Sequence, residues 1–222
     1  MIFISEYDII QEPARSIIII LTIIMVIGAF LIGLYVLLAS RNPERKLSSK
    51  YFIGISIFTI FFGIGRLIYM IHDYYAPDEL DILLWKIATA IVFCGLIFLV
   101  YTIETFVYTK TKRVFTIIGI FILVMVIISE LQIARYFIYA GNIILVVVPF
   151  LIYLIIIKNA TGVVRKRAII IVIGMFLLAL GQGTSLFELA GIMTKEIASI
   201  FAPPVTLVGL AITGYGFISM AR

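Results

Sequence analysis

Long apolar runs, broken at intervals by short polar segments, set the pattern of this chain. A hydrocarbon core about 30 Å thick takes roughly 20 residues of helix. By that measure the pattern predicts seven spans, at about 16–39, 51–71, 82–108, 114–131, 136–157, 168–190 and 197–220. Runs such as SIIIILTIIMVIGAFLIG do not alternate, so a β-barrel is excluded and the expected fold is an all-α integral membrane protein, a seven-helix bundle. The fourth span is the shortest. Its boundary with the fifth, near Glu130 to Arg135, reads as an exposed turn, because unpaired charge in lipid costs several kcal/mol.

Internal proline and glycine refine two spans. Pro203 and Pro204 remove two backbone donors, so span seven should kink there or begin at Pro203, and Pro149 should kink span five. Beyond Pro204, Thr206, Gly209, Thr213 and Gly216 form a small-residue stripe that lets another helix approach closely.

The polar gaps give an orientation. Arg41, Arg45, Lys46, Lys50, Lys110, Lys112, Arg113, Lys158, Arg165, Lys166, Arg167 and Arg222 fall on one side, twelve of the 17 basic residues. The positive-inside rule makes that side cytoplasmic, with the N-terminus outside and the C-terminus inside. The first segment, MIFISEYDIIQEPAR, is acidic rather than basic, so the first span is expected to be retained and not cleaved as a signal peptide. Composition agrees: apolar residues make up 64% of the 222 and charged residues 13%, too little polar surface for a water-soluble fold. The chain reads as one membrane domain over residues 1–222, in the cell membrane. The net charge of +5 comes from juxtamembrane bases and points to anionic lipid or a protein partner, not to nucleic acid.

An internal repeat is also readable. RNPERKLSSKYFIGISIFTIFFGIGRLIYMIHD aligns with KNATGVVRKRAIIIVIGMFLLALGQGTSLFELA, matching Asn42 with Asn159, Gly65–Arg66 with Gly181–Gln182, and His72 with Glu188. Spans one to three would then repeat as five to seven around span four, a 3+1+3 layout of like-oriented halves.

Few polar groups lie at depth, and those few are functional candidates. Arg66 sits about 22 Å above the cytoplasmic end of span two. Arg66, Tyr69, Lys86, Gln182, Ser185 and Glu188 are expected to form an outward-facing ligand site, with Glu188 pairing with Arg66 or Lys86. Glu104, near the cytoplasmic end of span three, is a candidate conformational latch that would pair with a basic inner loop. His72 reads as a solvated loop residue. A single His and a single Cys build no usual metal site, and no catalytic or cofactor motif is present, so neither a cofactor nor enzyme activity is expected.

The stretch FFGIGRLIYMIHDYY followed by LLWKIATAIVFCGLIFLVYTIE resembles uncharacterised archaeal multi-span proteins, a resemblance that implies no activity. The architecture is similar to rhodopsins, but the last span, FAPPVTLVGLAITGYGFISMAR, lacks their retinal lysine. It is also similar to small sugar and PQ-loop transporters, without their Pro-Gln pairs, and to the seven-span sensory modules that precede histidine kinases. The expected function is a receptor-like or sensory module taking a small outer ligand and a cytoplasmic or membrane partner. A uniporter-like solute transporter and a non-catalytic subunit of a membrane complex are the alternatives.

Overall fold

The computed structural model describes residues 13–41, 49–77, 79–183, 192 and 194–220. Every regular element among them is helical: α1 (Ala14–Ala39), α2 (Ser49–Tyr75), α3 (Asp81–Phe106), α4 (Val114–Ile128), α5 (Leu131–Asn159), α6 (Gly162–Gln182) and α7 (Lys195–Met220), with one 3-10 turn at Thr109–Thr111. Apolar sequence favours helix in lipid because a helix satisfies its own backbone donors and acceptors. Five of the seven, α1, α2, α3, α5 and α7, are long and apolar enough to cross a bilayer, which fits a membrane-embedded, polytopic protein.

The other two depart from the expected lengths. α4 stops at Ile128 instead of 131, and its 15 residues rise only about 22 Å. α6 begins at Gly162, so Arg165, Lys166 and Arg167 form its opening turns, and only Ala168 to Gln182 of the expected 168–190 span is described. α5 starts at Leu131, five residues before the expected 136, directly after an extended two-residue turn at Ser129 and Glu130. LQIAR is too polar for a hydropathy boundary to include, yet it is regular helix.

Proline acts differently at its two internal sites. α5 widens to a π-turn at Ile143–Val147 immediately before Pro149, and α-helix resumes at Val148. Pro149 has no N–H for the carbonyl one turn back, and a wider turn relieves the accompanying clash. α7 does not begin at Pro203; it starts at Lys195 and runs through Pro203 and Pro204.

Consecutive helices pack side by side, and α7 closes onto α1 to complete a ring. Gly33 of α1 lies against Ser56 and Ile60 of α2 while Gly63 lies against Ala29, an antiparallel pairing. Gly28 meets Leu207 and Gly214 meets Ile32, so α1 and α7 run parallel. The first and last described helices therefore start at the same end of the bundle, as an odd number of helices requires.

The tightest seams are α2–α3 and α6–α7, and the same contacts build both. A methyl group placed on Gly65 would sit 3.2 Å from the Ala88 carbonyl oxygen and 3.4 Å from the Val92 amide. On Gly181, 116 residues later, it would sit 3.1 Å from the Ala202 carbonyl and 2.8 Å from the Thr206 amide, and Ala202 and Thr206 each lie 114 residues after their counterparts. Gly95 approaches the Phe58 carbonyl as Gly209 approaches that of Gly174, again offset by 114 and 116. The small-residue stripe of α7 is thus the face that meets α6: Thr206 lies against Gly181, Gly209 and Thr213 against Gly174, and Gly216 against Ile171.

Candidate functional site

The polar candidates fall into three seams. In α2–α3, Thr89 Oγ1 donates its proton to the Trp85 carbonyl at 2.8 Å, and Tyr69 Oη lies 2.6 Å from the same Thr89 oxygen. Because the threonine proton is already committed, the tyrosine hydroxyl is the donor of that pair. Arg66 precedes Tyr69 by one turn, close enough for its charge to act on the phenol. Its Nε is buried without a hydrogen-bond partner.

In α3–α4, Lys86 and Glu104 occupy opposite ends of α3 and hold opposite ends of α4. Lys86 Nζ donates to the Ser129 carbonyl at 2.6 Å, with the Ile127 carbonyl at 3.4 Å. Glu104 is almost completely buried, at 1% exposure, and accepts from the Phe115 amide (3.2 Å), the Thr116 amide (2.9 Å) and the Thr116 hydroxyl (2.6 Å). The first amides and last carbonyls of a helix lack internal partners, and its N-terminal end carries partial positive charge and its C-terminal end negative. An antiparallel neighbour bearing a carboxylate at one level and an ammonium at the other meets both needs. Glu104 therefore takes the α4 N-terminus where a basic inner loop had been expected, and Arg113 instead stacks over the Tyr101 ring, 5.2 Å from its centroid. The three donors on Glu104 explain how a carboxylate can be buried here at all.

In α6–α7, Gln182 Nε2 donates to Thr206 Oγ1 at 3.0 Å. The structure thus sets Arg66 beside Tyr69, places Lys86 against α4, and places Gln182 against α7. Ser185 and Glu188 lie outside the described residues.

Sequence patterning missed two features. His72 is in the last turn of α2, not in a loop, and both ring nitrogens face carboxylates: Nδ1 lies 2.7 Å from Asp73 and Nε2 2.8 Å from Asp81. Donating to both would require the protonated ring, and in either state the two contacts tie the end of α2 to the start of α3. Arg15 joins α1 to the same end, donating to the Tyr74 carbonyl at 3.0 Å while lying over its ring. The second feature is an aromatic cluster at the opposite end. Tyr51 packs edge-on against Phe52 (5.3 Å between centroids), Phe106 (6.3 Å) and Phe217 (6.1 Å), and Tyr153 packs on Phe217 at 5.9 Å. Tyr51, Phe52, Tyr153 and Phe217 are fully buried, drawing α2, α3, α5 and α7 together. These aromatics recur at no common spacing, so only the ring of helices brings them into one place.

Comparisons with protein-family models, curated proteins and solved structures find no match. Among the described residues no group of His, Cys, Asp and Glu has the makings of a metal site.

Proposed function

We propose that the chain is a seven-span, receptor-like sensory module of the cell membrane, N-terminus outside and C-terminus inside, that binds a small ligand at its outer end. α4 and α6 complete the spans in this reading. α4 is short, but its terminal groups are satisfied by Lys86 and Glu104. α6 is described as far as Gln182, and the sequence after it stays uncharged as far as Phe187.

The observation that carries the reading is the contrast between the two ends of the bundle. One end holds the Arg66 guanidinium, its Nε buried without a partner, and the Tyr69–Thr89 pair, while the other is packed by the aromatic cluster around Tyr51 and Phe217, where the buried Tyr51 and Tyr153 hydroxyls also lack partners but carry no charge. A buried, unpartnered cation at one end and a packed plug at the other suit transmission of a helix rearrangement more than passage of a solute. A ligand shifts such an arrangement only by binding one state more tightly. Arg66, Tyr69, Gln182, Ser185 and Glu188 are the proposed ligand contacts. Lys86 lines the outer rim through its hold on α4, and Glu104 is the latch that fixes the inner end of α4. Basic inner segments at Lys110, Lys112 and Arg165 to Arg167 would meet the membrane surface and a cytoplasmic partner.

The matched glycine contacts of α2–α3 and α6–α7 support the 3+1+3 duplication, with two fewer residues between the helices of the second half. They also sustain the transporter alternative, since like-oriented halves recur among transporters.

The test is a spin-label distance between Lys110→Cys and Thr161→Cys at the inner end, in a Cys94→Ser background. Amino acids, organic acids and sugars are added from outside, with uptake into proteoliposomes measured in parallel. A solute that shifts the distance without being taken up, with the shift lost in Arg66→Ala, is the expected result. Uptake of that solute, or a shift unaltered in Arg66→Ala, would sink the sensory reading.

A further inference from the structure

We infer that the outer site is an oxyanion site, in which Arg66 receives a carboxylate- or phosphate-bearing group between α2 and α3. The inference rests on the sensory reading above and specifies the chemistry of its ligand.

The duplicated seams provide the comparison. Gln182 follows Gly181 and is answered by Thr206, whose hydroxyl accepts its amide proton. In the first half the corresponding side chain is Arg66, after Gly65, and the residue matching Thr206 is Val92. One half therefore holds a neutral, satisfied pair. The other holds a cation where the matching position across the seam is apolar, and the guanidinium Nε is left buried without a partner. Among the described residues no carboxylate is found in an ion pair with Arg66, whereas His72 meets both Asp73 and Asp81.

A guanidinium partly withdrawn from water and left without an anion is costly, and its fork of donors matches two oxygens of one carboxylate or phosphate. The neighbouring hydroxyls spend their protons on each other and on the backbone, so the donors left for the guest are those of the guanidinium. Thr89 directs its proton to the Trp85 carbonyl and Tyr69 donates to Thr89, so the hydroxyl chain is anchored in α3 and fixes the wall beside Arg66. Gly65 keeps α2 and α3 at backbone contact there, so Arg66 cannot retreat into the seam.

Trp85 is the single tryptophan of the chain and lies one turn from Thr89, making it an internal reporter. Its emission is followed on the purified full chain in detergent during titration with succinate, with inorganic phosphate, and with phosphatidylglycerol in mixed micelles. Succinamide and phosphatidylcholine are the uncharged or zwitterionic controls. A saturable change with at least one anion and not with its control is expected, weakened at least tenfold in Arg66→Gln. Arg66→Lys, which keeps the charge and loses the fork, should weaken it about as much and serves if Arg66→Gln does not fold. A response to succinate or phosphate assigns a soluble ligand; one confined to phosphatidylglycerol assigns a lipid headgroup, and both support the oxyanion site. No response to any anion, an equal response in the Arg66 variants, or a response that emerges only in Glu188→Gln overturns it, the last because the chain's own carboxylate would then fill the site. Anion binding without movement at the inner end would leave this inference standing and remove the sensory reading. Movement triggered by an uncharged solute without anion binding would do the reverse.

Discussion

Glu104→Ala is expected to destabilise the protein by about 3 kcal/mol, the cost of leaving two backbone amides and a hydroxyl buried without their charged acceptor. Few other single side chains here serve three donors at once. The loss should fall first on α4, whose N-terminus rests on Arg113 in a left-handed conformation and has no side-chain cap of its own. Glu104→Gln keeps an acceptor oxygen and should recover about half of the loss, since neutral hydrogen bonds are roughly half as strong as charge-assisted ones. Denaturant or thermal unfolding in detergent measures both variants. If alanine at 104 shifts stability by less than about 0.5 kcal/mol, the typical effect of an unimportant surface change, the hold on α4 is not what keeps that helix in place.

The second large effect concerns the glycine seams. In Gly209→Ala the new methyl group meets the Leu178 amide at 2.6 Å and the Gly174 carbonyl at 3.0 Å, both backbone atoms that cannot rotate away. α6 and α7 must separate, at a cost of about 2–3 kcal/mol. Gly95→Ala, which makes the corresponding contact in the α2–α3 seam, should cost somewhat less, because its nearest contacts are the Phe61 Cβ at 3.0 Å and the Phe58 carbonyl at 3.1 Å. Gly28→Ala is the control. It meets only the end of the flexible Leu207 side chain, and the expected loss is below about 1 kcal/mol. Equal tolerance at all three positions in an unfolding assay would mean that the seams are looser than backbone contact.

These expectations show where hydropathy stops being informative. Apolar run length located α1, α2, α3 and α7 to within a few residues, and small residues at helical spacing marked the α7 face that packs on α6. Position along a helix was legible because it follows from residue spacing; azimuth was not. The sequence puts Arg66 and Lys86 in one expected ligand site, yet one borders the α2–α3 seam and the other turns to the end of α4. Nothing local to Lys86 or Glu104 distinguishes a lipid-facing charge from one that caps a neighbouring helix. Their separation along α3 carried a usable signal, being slightly longer than the helix they bracket. The start of α5 was missed because Gln132 and Arg135 lower the hydropathy of a segment that is helical. The aromatic cluster was illegible because Tyr51, Phe106, Tyr153 and Phe217 converge only through tertiary packing.

The proposed site and plug both depend on seven crossings, and α4 is where that number is most exposed to challenge. Single cysteines at Glu79, Lys110, Glu130 and Thr161, in a Cys94→Ser background, place the ends of α3 to α6 relative to the membrane; all four positions are exposed on the protein surface. A membrane-impermeant maleimide applied to intact cells should label Glu79→Cys and Glu130→Cys, and should reach Lys110→Cys and Thr161→Cys only after permeabilisation. Labelling of Lys110→Cys and Glu130→Cys from the same side would contradict the seven-span topology, because α4 would then not cross.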